Sequence, residues 1–288
     1  MAGRIKRFSE NINIHYFSFE IFFHDELKAY PKMLAIKNKE IYYSKNAHTV
    51  VIQDNERKCL LMTENKLPTS TNWCLIPVSP AHYECKPTKK KYNKSSFGLK
   101  ETDVVYVHSG SVSPWAGINQ IIEAIEKGLP DNTYIFIHNR SKFNKSDGHH
   151  RQLFELKENG ANLILHDGLF ESYDEYYDFL LCFDYGITIY DPDGGIFTGK
   201  NIEEIGLASG KFSTYMMLGL PTILSKCNTY KQIINDYAIG QIINDKNDLS
   251  YHINNHSLSK CKKSDCEQFY SMVLDPTKAI DSFINALS

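Results

Sequence analysis

The feature of the sequence that most constrains the fold is a regular alternation of short apolar runs with segments of helical spacing. The apolar runs are rich in β-branched and aromatic residues and span 103–108, 133–138, 162–166, 185–190, 221–224 and 240–243. The segments between them, 118–127, 151–159, 173–181, 211–218 and 230–236, have the apolar spacing of helices. This alternation predicts βαβ units and a mainly parallel sheet, whose ligands bind at the carboxyl ends of the strands.

The first part of the chain is predicted to contain fewer elements of the same kinds. Strands are expected within 11–23, at 49–53 and at 73–78, and a helix is expected at 28–46. Asp54 is in position to cap a further helix that ends near Asn65. The run 86–96, KPTKKKYNKSS, is basic and polar without apolar periodicity, which indicates a solvated linker and a domain boundary.

Composition narrows the class of protein. The 288 residues carry a net charge of −2, so a basic surface for nucleic acid is not expected. Seven cysteines without a C-x-x-C pair are typical of a reducing compartment. With neither a signal peptide nor a long apolar run apparent, we expect a cytoplasmic protein, with peripheral membrane contact as an alternative.

The segment Glu204–Leu224 predicts a phosphate-binding helix start. Ser209 and Gly210 precede Lys211, apolar residues follow at helical spacing, and Gly219 ends the helix before a buried strand. A helix N-terminus presents unpaired backbone N–H groups and a partial positive charge, to which a lysine adds a mobile cation. The prediction is a site for a diphosphate leaving group without a metal; the alternative is an ordinary helix with a surface lysine.

Four loops are predicted to lie at the same edge of the sheet as this helix start: 110–117, 139–140, 191–195 and 209–211. His108 and His138, at strand ends beside the predicted diphosphate, are better candidates for contact with that ligand than for metal binding. Trp115 and Tyr190 either pack in the core or touch the rest of the ligand. The full set predicted to bind the diphosphate-containing ligand is Gly110, Ser111, Trp115, Gly117, His138, Arg140, Tyr190, Glu204, Ser209, Gly210, Lys211 and Thr214.

The order of these motifs resembles the nucleotide-sugar-binding half of a GT-B-fold retaining glycosyltransferase, of the family 4-like kind that includes sucrose- and mannosyl-transferring enzymes. The similar stretches are VYVHSGSVSPWAGINQIIEAI at 105–125, LILHDGLFESYDEYY at 163–177, DYGITIY at 184–190, IGLASGKFSTYMMLGLPTIL at 205–224 and QIINDYAIGQII at 232–243. The resemblance implies sugar transfer from a nucleotide-sugar donor to a glycan, lipid-linked or small-molecule acceptor. The nucleotide sugar is a substrate, so no cofactor is implied.

The resemblance also implies a division into domains within a GT-B-like α/β fold. Residues 1–85 correspond to part of an acceptor-side α/β lobe, 86–97 to a linker, and 98–265 to a complete Rossmann-like donor domain. Residues 266–288 correspond to a C-terminal helix that packs back on the first lobe. The first lobe looks N-terminally shortened, and a partner chain is one source of the missing half.

Two departures from the family pattern, together with the short first lobe, favour an alternative, a non-catalytic or split-enzyme subunit that binds a nucleotide sugar or a partner chain. The acidic pair of the family, Glu-x7-Glu, falls on Gly206 and Thr214, and Glu203 or Glu204 is a nearby substitute in a different register. The cation that family members often place before Gly117 is replaced by Ala116.

Catalytic groups are predicted on the first lobe, where Glu20 and His24 are expected to face the cleft. His24 suits proton transfer near neutral pH, although a partly exposed loop histidine without a catalytic role is the favoured explanation. Asp191 and Asp193 resemble a metal-binding acidic pair, but DPDGG is also typical of a turn, and no metal site is predicted.

Overall fold

The computed structural model describes residues 12–81, 91–195, 198–245 and 248–287. The first lobe contains a three-stranded parallel sheet in the order β1-β2-β3, formed by His15–Phe17, Thr49–Ile52 and Trp73–Leu75. The central strand β2 is buried throughout, as expected for the TVVI run. Two strands are shorter than predicted: β1 covers three residues of the predicted segment 11–23, and β3 covers three residues of the predicted segment 73–78.

Two helices connect these strands. Helix α1 spans Pro31–Ser44 and begins with proline at its first position, where the missing N–H costs nothing. Helix α2 spans Asn55–Asn65, and its N-cap is Asp54, whose carboxylate accepts a hydrogen bond from the Arg57 backbone N–H at 2.9 Å. The predicted cap at Asp54 is therefore confirmed.

The second lobe contains six parallel strands in the order β6-β5-β4-β7-β8-β9. The strands are β4 (Val104–Gly110), β5 (Thr133–Asn139), β6 (Leu163–Asp167), β7 (Tyr185–Thr188), β8 (Thr222–Leu224) and β9 (Gly240–Ile242). Their order reverses between β4 and β7, which creates a topological switch point at the carboxyl edge. The parallel α/β sheet predicted from the alternating pattern is confirmed.

Helices connect the strands of the second lobe. They are α3 (Ile118–Glu126), α4 (Gly148–Glu158), α5 (Tyr173–Leu180), α6 (Gly199–Glu203), α7 (Gly210–Met217), α8 (Asn228–Asp236) and α9 (Asp248–Asn254). Buried apolar side chains from the strands and helices form two clusters, one on each face of the sheet. Ser172 and Ser209 cap α5 and α7 through their hydroxyl oxygens, which fixes where these helices begin at the edge.

The C-terminal segment consists of two helices rather than one. Helix α10 spans Lys263–Phe269 and continues as a π-helical turn to Leu274, and α11 spans Thr277–Asn285. Pro276 interrupts the helix because it has no backbone N–H to donate. The Phe283 ring of α11 contacts the rings of His15 and Phe17 on the first sheet.

The polar stretch expected to be a solvated linker is only partly within the described residues, since 86–90 lie outside them. Its described part packs against the second lobe. The backbone N–H groups of Lys91 and Tyr92 donate to the Asp178 carboxylate, and Lys94 donates to Asp184 at 2.9 Å. Residues 94–97 form a 3₁₀ turn capped by Asn93. Partners distant in sequence therefore order residues that look solvated by composition.

A buried polar network joins the two lobes, and Arg57 is at its centre. Arg57 has no solvent-exposed surface and donates to Gln53 and Phe19 of the first lobe. It also donates to the backbone and side-chain oxygens of Asn201 at 3.1 and 3.0 Å and to the Glu204 carbonyl. Asp54 accepts from the Leu207 backbone N–H at 2.8 Å. The relative position of the lobes is thus fixed by hydrogen bonds that water does not reach.

None of the described helices combines the length and the apolar character that a membrane crossing requires.

Candidate functional site

The candidate site lies at the switch point of the second sheet, where the loops after β4 and β7 meet the start of α7. The α7 helix begins at Gly210, directly after its N-cap Ser209, whose Oγ accepts from the Phe212 backbone N–H at 3.2 Å. Gly210 packs close to Val78 of the first lobe, so a Cβ at this position would lie 3.4 Å from a Val78 methyl group. The helix start therefore opens on the junction between the lobes.

Lys211 reaches across the switch point to the end of β4. Its Nζ lies 3.2 Å from His108 Nδ1 and 5.4 Å from the centre of the Tyr190 ring. Its aliphatic chain crosses Gly110, where a Cβ would lie 3.5 Å from Lys211 Cε. Gly110 also has a φ of 151°, which favours glycine at this position. The lysine is half-buried, and its amine is surrounded by protein atoms.

The environment of this amine disfavours positive charge. Burial, together with the nearby Arg140 guanidinium, lowers the pKa of Lys211 to about 7. Burial and the neighbouring Lys211 lower the pKa of His108 well below its ordinary value. His108 Nε2 lies 3.0 Å from the Ser111 carbonyl, to which it donates. An anion bound here would meet a site in which positive charge is otherwise destabilised.

Ser209, Tyr190 and Trp115 form one wall of the site. The Tyr190 hydroxyl and the Ser209 Oγ are 2.6 Å apart, and burial raises the pKa of Tyr190 to about 12. The Trp115 ring stacks on Tyr190 at 6.2 Å with an angle of 12° between the ring planes. Tyr190 is buried, whereas Trp115 is partly exposed, so the tryptophan is the more accessible of the two rings.

A second hydrogen-bond network fixes the opposite wall. His138 Nε2 donates to the Gly168 carbonyl at 2.9 Å, so Nδ1 accepts from Ser109 Oγ at 2.8 Å. Ser109 Oγ in turn lies 3.0 Å from the Tyr176 hydroxyl. Burial lowers the pKa of His138, in keeping with a neutral ring. The Arg140 guanidinium lies beside the Tyr176 hydroxyl and is exposed.

The wall that contains His138 and Tyr176 borders a pocket of about 350 Å³ at the carboxyl ends of β5 and β6. Leu169 and Tyr173 are 83% and 76% exposed, so this rim carries apolar and aromatic surface that the fold leaves uncovered. The pocket is lined by His138, Arg140, Gly168, Leu169, Phe170, Glu171, Ser172, Tyr173 and Tyr176.

Three predicted donor residues have other roles in the structure. The Glu204 carboxylate accepts from the backbone and side-chain N–H groups of Asn228 at 2.9 Å, at the start of α8. The Thr214 hydroxyl donates to the Gly210 carbonyl within its own helix at 2.8 Å. Gly117, with φ 77°, lets its loop approach Ile189, where a Cβ would lie 2.5 Å from that side chain. Glu204 and Thr214 therefore have hydrogen-bond partners within the protein, and their part in ligand binding stays a prediction.

Position 206, where the resemblance would place one of two acidic residues, is crowded. Gly206 has a φ of 45° and approaches the Asp54 carboxylate so closely that a Cβ would lie 2.4 Å from Oδ2. A glutamate at this position would therefore require Asp54 to move.

The DPDGG segment forms a turn that packs on the 110–117 loop. The Asp193 backbone N–H donates to Asp191 Oδ1, and Gly194 lies against the backbone of Pro114 and Trp115. Among the described residues, no group of three or more His, Cys, Asp or Glu side chains is arranged to hold a metal ion.

Glu20 and His24 lie on the first lobe, next to α6. The Glu20 carboxylate accepts a short hydrogen bond from the Asn201 side chain, and its charge acts on Tyr190. His24 is exposed, and its backbone N–H donates to Glu64 at 2.7 Å. The structure therefore brings Glu20 near the wall formed by Ser209, Tyr190 and Trp115. In the described structure, His24 makes no contact with Lys211 or His108.

Sequence reasoning missed the 168–173 loop, Tyr176, and the junction residues Arg57 and Asn201. The loop carries Gly168 and the aromatic residues Phe170 and Tyr173 directly after β6, and this pattern is a sequence signal that could have identified it. No local signal marks Arg57, whose partners come from other parts of the chain.

Comparison with solved structures shows the GT-B fold. HepE of Anabaena, in complex with UDP-glucose, is 13% identical over 99% of this chain and 74% of its own, with a TM-score of 0.66. Sucrose-phosphate synthase of Thermosynechococcus elongatus is 12% identical over 99% of this chain and 70% of its own, also at 0.66. WaaG, a glycosyltransferase involved in lipopolysaccharide biosynthesis, is 14% identical over 98% and 79%, at 0.63.

No protein-family model and no curated protein sequence matches the chain. The α/β architecture is GT-B-like, as the sequence predicted.

Proposed function

We propose that this protein is a glycosyltransferase that binds a nucleotide sugar at the switch point of its second sheet. The observation that carries the proposal is the meeting of three features at one edge: the α7 helix start, the Lys211 amine and the Arg140 guanidinium. The backbone N–H groups of the helix start and the two cationic side chains offer donors to a diphosphate from different sides. Arg140 supplies the cation that the sequence lacks at Ala116.

The pocket beside Arg140 suits the nucleoside of such a donor. Its volume of about 350 Å³ and its aromatic rim offer a stacking surface, and the loop backbone beyond Gly168, beginning at Leu169, offers polar groups for a base edge. His138 and Ser109 tie this loop to β4 and β5, so the pocket is held in place before a ligand enters.

The sugar is then expected on the side of Trp115 and Tyr190, facing the first lobe. Glu20 is the carboxylate of that lobe whose charge acts on this wall, and we propose that it assists proton transfer to or from the acceptor. The preorganised positive groups stabilise the departing diphosphate, which is an electrostatic form of catalysis. Three further parts of the proposal follow from the resemblance. They are retention of configuration, the family 4-like subtype, and a glycan, lipid-linked or small-molecule acceptor.

Calorimetric titration with UDP-, GDP- and ADP-sugars tests the proposal directly. Each titration is performed once with EDTA and once with added Mn²⁺. We expect one of these donors to bind without a metal, because the helix start and two cationic residues supply positive charge. If EDTA abolished binding and Mn²⁺ restored it, Asp191 and Asp193 would become the leading diphosphate site through a bound metal. Absence of binding by every donor in both conditions would contradict the proposed function.

The aromatic rim gives a separate prediction. Tyr173→Ala is expected to weaken nucleotide-sugar binding by roughly 1–2 kcal/mol if the base stacks on the exposed ring, at the size of an aromatic pair plus its buried area. Tyr251→Ala is the matched control, because that tyrosine is 63% exposed and lies on α9, outside this pocket. Equal affinities of the Tyr173 variant and the control would place the base elsewhere.

The second candidate function is a non-catalytic subunit that binds a nucleotide sugar or a partner chain. The absence of carboxylates at Gly206 and Thr214 favours it, because the ribose loses the ligand that the family pattern implies. Assay of slow donor hydrolysis separates the two candidates. Release of free sugar that depends on Lys211 supports an enzyme, and donor binding without any turnover across an acceptor panel supports the subunit.

A further inference from the structure

A second pocket lies on the first lobe, where the three strands of the first sheet end beside the start of α11. Its volume is about 340 Å³. Side chains alternate between the faces of a strand, so Phe17 and Val51, which are register partners on β1 and β2, lie on one face of the sheet. Val50 and Ile52 lie on the other face and pack with Leu61 of α2. The pocket therefore occupies the sheet face that α2 does not cover.

The lining of this pocket is mainly hydrocarbon. Its apolar residues include Phe17, Phe19, Val51, Ile76, Val78 and Ile280. Phe17 and Phe19 are 44% and 63% exposed, so aromatic surface remains open to a ligand at the rim. Among the described residues that line the pocket, none carries a charge.

The polar groups of the lining are already engaged or out of reach. The Gln53 side chain donates to the Ser18 carbonyl at 2.7 Å and accepts from Arg57 at 2.8 Å. Ser18 Oγ donates to the Glu20 carbonyl at 3.3 Å. Ser79 Oγ is buried, so water in the pocket does not reach it. A sugar ring would lose hydrogen bonds with water here without replacing them, whereas a hydrocarbon chain has none to lose.

The pocket shares a wall with the candidate site at the junction of the lobes. Val78 lines the pocket, and its backbone N–H donates to the Leu207 carbonyl at 2.9 Å. A Cβ at Gly210, the first residue of α7, would lie 3.4 Å from a Val78 methyl group. Phe19, at the rim, directly precedes Glu20 in the chain. A molecule whose apolar end fills the pocket thus has its other end beside the α7 helix start and Glu20.

We propose that this pocket binds the alkyl chain of the acceptor, which makes the acceptor an amphiphile with a hydroxyl-bearing head and a hydrocarbon tail. A volume of about 340 Å³ is typical of small-molecule sites, which favours such a chain over a segment of a partner protein. The donor diphosphate is excluded, because an uncharged apolar pocket does not compensate for its lost hydration. Identification of the ligand as the acceptor rests on the proposed function, whereas binding of the chain requires no donor.

Calorimetry with alkyl β-D-glucopyranosides, below the concentrations at which they form micelles, tests the pocket without a donor. From butyl through hexyl to octyl glucoside, affinity is expected to rise roughly fourfold for each added methylene until the chain fills the pocket. Methyl glucoside has the same head without the chain and is the control ligand. Affinity that is independent of chain length would overturn this inference and leave the proposed function intact.

Substitutions locate the binding of the chain. Ile280→Glu places a carboxylate in the wall and should weaken octyl glucoside binding by about tenfold or more, and Phe19→Ala should weaken it by about threefold or more. Both side chains are partly exposed, and thermal unfolding shows whether the variants stay folded. Ile36→Glu is the matched control, because Ile36 is 59% exposed on α1, outside the pocket. Folded Ile280 and Phe19 variants that bind octyl glucoside like this control would overturn the site.

Transfer assays connect the chain with the acceptor. A nucleotide sugar that binds in calorimetry is offered with the methyl and octyl glycosides of glucose, galactose and mannose, and the products are identified by mass spectrometry. Transfer is expected to the octyl member of a pair in preference to the methyl member, and Ile280→Glu should remove the preference. Equal transfer to both members of a pair would overturn the assignment of the pocket to the acceptor.

Two further outcomes separate this inference from its rivals. If octyl glucoside binds but no nucleotide sugar does, the proposed function is overturned, and the assignment of the chain to an acceptor is overturned with it. If sedimentation shows a dimer that octyl glucoside leaves intact and Ile280→Glu dissociates, a second copy of this chain occupies the pocket and the inference is overturned.

Discussion

Lys211→Met is expected to weaken nucleotide-sugar binding by roughly 1.5–3 kcal/mol, the range for a hydrogen bond to a charged group. Methionine keeps the aliphatic chain over Gly110 while removing the amine that lies at the helix start. The measurement is calorimetric affinity at pH 6.5, on the acid side of the Lys211 pKa of about 7. Thermal unfolding of the same variant separates loss of the ligand contact from loss of the fold.

Lys157→Met is the matched control for this experiment. Helix α4 runs back from the carboxyl edge, so the exposed Lys157 in its last turn lies towards the opposite edge of the sheet and should leave affinity unchanged. If Lys211→Met bound the donor as well as the parent protein while remaining folded, Lys211 would be removed from the site. A comparable loss in the control would show that general surface charge, rather than one amine, attracts the donor.

Arg57→Met is expected to lower the free energy of unfolding by roughly 3–5 kcal/mol, because it removes the buried cation that donates to oxygen acceptors of both lobes. Those acceptors belong to Gln53, Phe19, Asn201 and Glu204, and water does not reach the guanidinium that now satisfies them. Urea denaturation followed by fluorescence measures the change. Trp73 reports on the first lobe and Trp115 on the second, so single-tryptophan backgrounds show whether the two lobes begin to unfold separately.

Arg151→Met is the control for Arg57, since Arg151 is exposed and its contact with Glu155 is a surface pair at 3.9 Å. Its effect should stay within about 1 kcal/mol. An Arg57 variant as stable as this control would mean that the junction between the lobes repacks or admits water. A large loss with separate transitions at Trp73 and Trp115 would identify Arg57 as the residue that couples the lobes.

Two observations connect this junction with the candidate site. Asn201 bonds both Arg57 and Glu20, and Gly206, between them and α7, is packed against Asp54. The structure that joins the lobes therefore also sets the position of the proposed acceptor-side carboxylate. We expect Arg57→Met to impair sugar transfer more than nucleotide binding, because the residues proposed to bind the diphosphate and the 168–173 loop all belong to the second lobe.

The sequence by itself determined the features that depend on neighbouring residues. Apolar runs and apolar periodicity specified the six strands of the second lobe and its helices α3, α4, α5, α7 and α8, but not the short helices α6 and α9. Asp54 and Ser209 precede helices that they cap through local hydrogen bonds, and Gly219 ends α7 with a φ of 71°. The lysine at the start of α7 was identified in the same way.

Only the tertiary structure decided which side chains meet. His108 and Lys211 are 103 residues apart in sequence, and Arg57 and Asn201 are 144 apart, so no local pattern predicts either contact. Glu204 illustrates the limit of register arguments, because a carboxylate at nearly the expected position caps a neighbouring helix instead. Charge state depends on the same long-range packing. A lysine is ordinarily a cation at neutral pH, and the pKa of Lys211 falls to about 7 because the fold buries it beside Arg140.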